Sequence, residues 1–255
     1  MNLTDIASFI SNKISVPPET GVILGSGLGN FTESLKDKIE ILYKDIPGHP
    51  LSSVSGHAGV WVFGFIKNKP VLCAKGRFHC YEGYSEEEVA LPVKIINELN
   101  CSSVLVTNAA GCLNMDWSLG DLMLIKGFID YTFTNDNNNP EIQTISYNMN
   151  FEDIREKASQ QNIQLREGNY AWTLGPSYET PAEIQDIISL GGNAVGMSTV
   201  PEMKKALELG LHVKAISCLT NYGAGMQDVR LSHSDVLKTT SKINQKFTRF
   251  LGEII

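Results

Sequence analysis

The chain has 255 residues, of which 42% are hydrophobic and 19% charged, with a formal net charge of −7. That length buries a sizeable core, and the acidic balance excludes a broad nucleic-acid or anionic-membrane surface while allowing a small anion held by local donors. No apolar stretch approaches membrane-spanning length and the N-terminal residues carry no basic-then-apolar leader, so a soluble, cytoplasmic protein is expected.

A helical pattern opens the chain over 2–12. An apolar run over 21–24 reads as a strand and leads into "GVILGSGLGN", with glycines at positions 25, 27 and 29. Strands over 60–66 and 71–75 flank "KNKP", a hairpin turn. A helix follows over 86–99, with Ser85 as N-cap and Glu88 at the capping-box position, and then a strand over 103–107. The next strand, 121–126, precedes the polar run "TNDNNNPE" (Thr134–Glu141), an exposed loop within one domain. A helix over 151–161, a strand over 169–174 and a helix over 181–190 come next, the last opened by Thr180, Pro181 and Glu183. Strands over 193–196 and 212–219 alternate with helices over 201–209 and 234–252. Capping explains Glu88, Glu183 and Glu202, and His49 and His212 read as structural. The five cysteines are scattered, odd in number and never paired as C-x-x-C, which predicts reduced core thiols with no zinc site and no disulfide framework. This alternation predicts a single α/β domain over 1–255 with a mixed sheet and with ligand sites in the loops at strand ends.

The glycine loop does not fit a dinucleotide fingerprint. Its spacing is G-x-G-x-G, Asn30 stands where the last glycine belongs, and no second strand with a terminal acid follows. A Walker A loop fails for want of Gly-Lys-Ser/Thr. Ser26, flanked by glycines, can donate to an anion beside exposed backbone N–H groups. "GRFHCYEGY" (Gly76–Tyr84) gathers Arg77, His79, Tyr81 and Tyr84 into one polar loop, and the Arg77 guanidinium offers a fork of donors suited to phosphate. "VTNAAGCLN" (Val106–Asn114) ends a strand in small residues. "WTLGPSYETPAE" (Trp172–Glu183) places Tyr178 and Glu179 just before a capped helix. "GGNAVGMSTVPE" (Gly191–Glu202) and "CLTNYGAGM" (Cys218–Met226) repeat the pattern of strand followed by small and polar residues.

With these motifs in this order, the sequence resembles the trimeric purine nucleoside phosphorylase family of the inosine and guanosine type, from about Gly21 to the last helix. The resemblance implies a mixed, distorted barrel-like sheet flanked by helices, a homotrimer, and no metal or organic cofactor. It implies phosphorolysis of purine nucleosides, with inorganic phosphate as co-substrate, to free base and pentose 1-phosphate. Carried over residue by residue, it implies a phosphate site of Ser26, Arg77, His79, the Ala109 backbone N–H and Ser198, with His57 of "SGHAG" over it. The pentose would meet Tyr81, Met197 and His233, and the purine Tyr178, Glu179 and Asn221. The stretch between 127 and 168 is shorter than the family pattern, which there supplies an aromatic residue to the neighbouring subunit's site. Phe133, Tyr147 and Phe151 are the candidates for that part.

The residue types suit the chemistry. Cleavage of the glycosidic bond places positive charge on the sugar and negative charge on the departing purine. The resemblance puts Asn221 at N7 of that base as a donor and Glu179 at N1–H as an acceptor. Adenine lacks the N1 proton, so a buried acceptor there rejects it. His79 completes the implied catalytic set. Relatives acting on 6-aminopurine nucleosides or methylthioadenosine, where an aspartate would replace Asn221, are the alternative, together with a non-catalytic nucleoside-binding member.

Overall fold

The computed structural model describes residues 2–51, 58–134, 140–144, 151–228 and 232–255, with the side chain of His233 outside that set. His57, Tyr147 and most of the asparagine-rich run therefore lie outside the described residues.

Helix α1 (Leu3–Ser11) is capped by the Asn2 side chain, which accepts from the Thr4 N–H at 3.2 Å. Strand β1 (Thr20–Ile23) is followed by β2 (Lys36–Leu42), β3 (Val60–Ile66) and β4 (Lys69–Lys75). The β3–β4 hairpin turns at Lys67 and Asn68, whose φ values of 49° and 65° are those of the turn type that matches strand twist. Strand β2 was not expected from the sequence. Its run "KDKIEIL" turns charged side chains to solvent and only Ile39 and Ile41 inward, the composition of a protected sheet edge.

The helix expected over 86–99 is two helices, α2 (Glu86–Val89) and α3 (Leu91–Glu98), meeting at Ala90. Pro92 is the cause, because it lacks the N–H that would carry the helix through and suits only a first turn. The Ser85–Glu88 capping box is formed as expected.

Strand β5 (Ser103–Cys112) runs five residues beyond its expected end, so "VTNAAGC" is strand and not loop. Then come β6 (Leu122–Asp130), the short exposed β7 (Ile142–Thr144), α4 (Phe151–Gln160), β8 (Leu165–Trp172) and α5 (Pro181–Ser189). The chain continues through β9 (Ala194–Gly196), α6 (Val200–Glu208), β10 (His212–Tyr222) and α7 (His233–Ile254).

The sheet order is β10-β6-β8-β9-β5-β1-β4-β3-β2, and β10 also pairs with β5. That second pairing closes β10, β6, β8, β9 and β5 into a ring, from which β1, β4, β3 and β2 extend. The expected barrel-like mixed sheet is thus present, with parallel and antiparallel neighbours in one ladder.

Helices cover the sheet. Ile6 and Ile10 of α1, Val93 and Ile96 of α3, and Met203 and Ala206 of α6 share a cluster with Val104, Val106 and Ala215. Phe247, Phe250 and Leu251 of α7 and Ile154 of α4 join Val22, Leu105 and Ile216 in another. Neighbouring residues of β5 therefore enter different clusters, which is why this strand reads as an unbroken apolar run. All five cysteines are free, and four are buried. Among the described residues no helix is long and apolar enough to cross a membrane.

Candidate active site

Strand β5 leaves one neighbour before it gains the next. Its pairing with β1 ends at Val106, and its pairing with β9 begins at Gly111. Along that edge Asn108, Ala109 and Ala110 have no strand beside them, and there a cavity of about 310 Å³ opens. That volume is at the lower end of small-molecule sites. Ser26, Arg77, His79, Ala109 and Ser198 line it, as do Tyr81, Met197, Tyr178, Glu179 and Asn221. Every site residue drawn from the sequence whose side chain is described is therefore in one place. The backbone of His233 opens α7, and Val236 of the same helix reaches the cavity wall.

The glycines of the first loop serve packing. A Cβ on Gly25 would lie 2.6 Å from the Asn108 Cα of β5, and one on Gly27, at φ 74°, would lie 2.2 Å from Thr240 Oγ1 of α7. The loop is squeezed between a strand and a helix, and Ser26 between them is the residue on the cavity.

Arg77, 1% exposed, anchors the adjoining wall. Its Nε donates to Glu202 Oε1 at 2.9 Å, and its Nη1 donates to Ser198 Oγ at 3.2 Å. From the sequence, Glu202 reads as a capping residue. Instead it is fully buried and makes no capping box; its carboxylate is the counter-charge of Arg77. Burial pushes the Glu202 carboxyl upward, and the guanidinium opposes that push.

Ser198 is aimed by a strained turn. Thr199 has φ 79° and ψ −44°, and the Val200 N–H donates to the Ser198 carbonyl at 2.9 Å. This is a γ-turn with a positive-φ, β-branched centre, a conformation that costs about 1–3 kcal/mol. Asn108 Nδ2 donates to Thr199 Oγ1 at 2.9 Å, and Ser198 Oγ lies 3.1 Å from the same hydroxyl. Asn108 Oδ1 is buried without a hydrogen-bond partner among the described residues.

His79 is also buried. Its Nδ1 lies 3.0 Å from Glu82 Oε1, which accepts the His79 backbone N–H at 2.9 Å as well. Burial first, and then the Arg77 charge, lowers the imidazole pKa to about 4 against the pull of Glu82. The ring is therefore neutral near pH 7, with Nδ1–H donating to Glu82. Its face stacks on Tyr81 at 4.7 Å and 16°. Gly175, at φ 74°, lies behind Tyr81 and Met197, and a Cβ there would meet Met197 Sδ at 2.4 Å.

At the far end of β10 a bulge between Leu219 and Asn221 leaves Thr220 outside the register. Such bulges re-aim side chains. Thr220 Oγ1 is 2.9 Å from Asn221 Oδ1, and Asn221 Nδ2 donates to the Tyr222 carbonyl at 3.1 Å. The amide is thus oriented with its oxygen toward a hydroxyl, leaving one Nδ2 hydrogen for another acceptor. Glu179 Oε1 accepts from Thr173 Oγ1 at 2.7 Å, and burial raises the carboxyl pKa despite that bond. Tyr178 is 39% exposed, at the rim.

Glu202 was set aside in the sequence as a cap, and Thr199, Asn108, Thr220 and Thr173 were not singled out there at all. All of them lie inside the quoted motifs, so proximity to a chemistry-bearing residue was the available signal. Of the aromatic candidates, Phe133 is 53% exposed with its ring edge-on to Tyr131, whereas Phe151 packs on the core.

Residues 19–255 match the family model of the phosphorylase superfamily. Purine nucleoside phosphorylase 1 of Geobacillus stearothermophilus is 41% identical over 272 residues, covering 100% of this chain and 98% of its own. Isoform 2 of purine nucleoside phosphorylase from Schistosoma mansoni, in complex with cytosine and ribose-1-phosphate, superposes with a TM-score of 0.89 at 33% identity, covering 99% of this chain and 95% of that one. A schistosoma purine nucleoside phosphorylase in complex with hypoxanthine gives 0.85 at 34%, with the same coverage.

Proposed function

The chain belongs to the phosphorylase superfamily, and within it to the purine nucleoside phosphorylases, and on that premise we propose that it phosphorolyses 6-oxopurine nucleosides. Inosine and guanosine, as ribosides or deoxyribosides, would give free base and pentose 1-phosphate. One observation carries the reading: the anion donors Ser26, Arg77 and Ser198, with His79 beside them, share a single cavity with the base-edge groups Glu179 and Asn221.

In this reading phosphate enters among Ser26, the Arg77 guanidinium, His79, the Ala109 N–H and Ser198. It acts both as nucleophile and as an anion beside the developing oxocarbenium. The pentose lies along Tyr81, Met197 and His233, and the stacked His79–Tyr81 pair gives it a flat wall. The purine lies over Tyr178, with Glu179 accepting N1–H and the remaining Asn221 Nδ2 hydrogen meeting N7 as the C–N electron pair moves onto the base. No metal or organic cofactor takes part. The reading also carries assembly as a homotrimer in the cytoplasm, with the exposed Phe133 ring the aromatic offered to a neighbouring subunit.

The test is an assay of inosine, guanosine, adenosine and methylthioadenosine with and without inorganic phosphate. Hypoxanthine and guanine release should require phosphate and produce pentose 1-phosphate stoichiometrically. Release at the same rate without phosphate would make the protein a hydrolase and end the proposal.

A further inference from the structure

The Thr173 hydroxyl sits outside the cavity lining yet touches the group that reads the base. It lies one residue past β8, is 7% exposed, and its Oγ1 is 2.7 Å from Glu179 Oε1. The other acceptor in reach is the Gly196 carbonyl at 3.4 Å. That carbonyl already takes the Thr173 backbone N–H at 2.9 Å. The single hydroxyl proton therefore goes to the carboxylate, the nearer and charged acceptor.

We propose that Thr173 is the positioning residue that sets base choice, by holding the Glu179 carboxylate as an oriented acceptor with Oε1 occupied and Oε2 left for the purine edge. The inference rests on the proposed function and deepens it. An ionised carboxylate accepts N1–H of hypoxanthine or guanine. A protonated one donates, and the unprotonated N1 of adenine accepts. Whatever stabilises the ionised, oriented form therefore favours oxopurines over aminopurines.

Burial works against that form, and Thr173 works for it, together with the Glu179 backbone N–H. The other titratable groups that bear on this corner are Glu183 of α5, which also favours protonation of Glu179, and the neutral phenols Tyr178 and Tyr170. Asp235 of α7 acts on Tyr178. None of these supplies a positive charge, so the Thr173 hydroxyl is the side-chain donor that opposes the burial.

The experiment compares wild type, Thr173→Val, Thr173→Ser and Glu179→Gln, with inosine and with adenosine at saturating phosphate, from pH 5 to 9. A hydrogen bond to a charged group predicts a loss of ~10-fold or more in kcat/KM for inosine in Thr173→Val. Adenosine should lose less, so the inosine-to-adenosine ratio falls about as far, and the acid limb of the inosine profile moves to higher pH. Thr173→Ser should restore both the ratio and the limb. If the valine variant does not fold, Thr173→Ala carries the same comparison. An unchanged ratio and limb in the hydroxyl-less variant, with Glu179→Gln collapsing the ratio, overturns the role of Thr173 and leaves the proposed function standing. A ratio untouched by Glu179→Gln overturns the assignment of Glu179 itself, and this inference with it.

Discussion

Arg77 and Glu202 are 125 residues apart in the chain, and the Arg77 Nε donates to the Glu202 Oε1 at 2.9 Å with both side chains shut off from solvent. The guanidinium has a built-in counter-charge, so the site remains near neutral when no anion is bound. Removing one partner of a buried pair leaves the other uncompensated, typically at a cost of about 3–5 kcal/mol. Glu202→Gln should therefore melt at a lower temperature than wild type. On the proposed function a bound phosphate dianion replaces the lost charge beside Arg77, so phosphate should raise the variant's Tm by more than it raises the wild type's. Scanning fluorimetry with and without phosphate checks both parts, and equal phosphate shifts would remove the coupling.

The γ-turn at Thr199 separates strain from contact. Thr199→Gly relieves the positive-φ cost and loses the buried bond from Asn108, two terms of about 1 kcal/mol or more with opposite signs. Stability by urea unfolding should change by less than about 1.5 kcal/mol. Ser198 loses its fixed aim, so the KM for phosphate should rise several-fold while the KM for nucleoside moves little. A variant markedly less stable than wild type, with an unaltered phosphate KM, would refute this account.

Asn221→Asp tests the leaving-group end. The amide nitrogen already faces the Tyr222 carbonyl at 3.1 Å. A carboxylate in its place has no proton to offer N7. Inosine kcat/KM should fall by ~100–1,000-fold, the usual loss for such a donor, while adenosine improves relative to inosine. Steady-state rates on the two nucleosides decide it, and a constant ratio would show that this side chain does not govern base choice.

Acid sensitivity follows from two buried imidazoles. His49 Nε2 accepts from Trp61 Nε1 at 3.1 Å while its Nδ1 lies 2.8 Å from the Pro50 carbonyl, an arrangement that uses both nitrogens of a neutral ring. Burial lowers the pKa of both His49 and His79 from 6.5 to about 4. Between those values the unfolded chain binds protons that the folded chain does not, so stability falls as pH falls from about 6.5 toward 4 and is level above. Each histidine contributes a slope of about 1.4 kcal/mol per pH unit inside that window. Burial raises the pKa of Glu179 and Glu202, so as pH falls they take up protons sooner in the folded state than in the unfolded one and oppose the slope at its acid end. Urea unfolding at pH 7, 6 and 5 should show the loss, and His49→Gln should flatten it. A wild type as stable at pH 5 as at pH 7 would contradict the assignment.

What could be read from the chain was what neighbours in sequence decide. Apolar runs placed β3, β4 and β10, and the boxes at Ser85–Glu88 and Thr180–Glu183 opened α2 and α5 as written. Pro92 also carried its signal, and reading through it merged two helices. β2 escaped because an edge strand with solvent-facing charges carries little apolar periodicity, and β7 because three exposed residues are too short to show any. Ser26, Arg77, His79, Tyr178 and Glu179 stood out in their motifs by residue type, whereas Ala109, Met197, Ser198, Asn221 and His233 were drawn only from the resemblance.

Sequence by itself thus determined which polar side chains this protein carries in the loops at its strand ends, and on which elements they ride, because hydrogen bonds along a helix or hairpin are local. Only the tertiary structure decided that β10 meets β5 to close the ring, that the opposite edge of β5 has no strand beside it from Asn108 to Ala110, and that Glu202 and Thr173 serve Arg77 and Glu179. The physical reason is burial: a charge or hydroxyl takes the partner that the packed interior brings within 3 Å, whatever their separation along the chain.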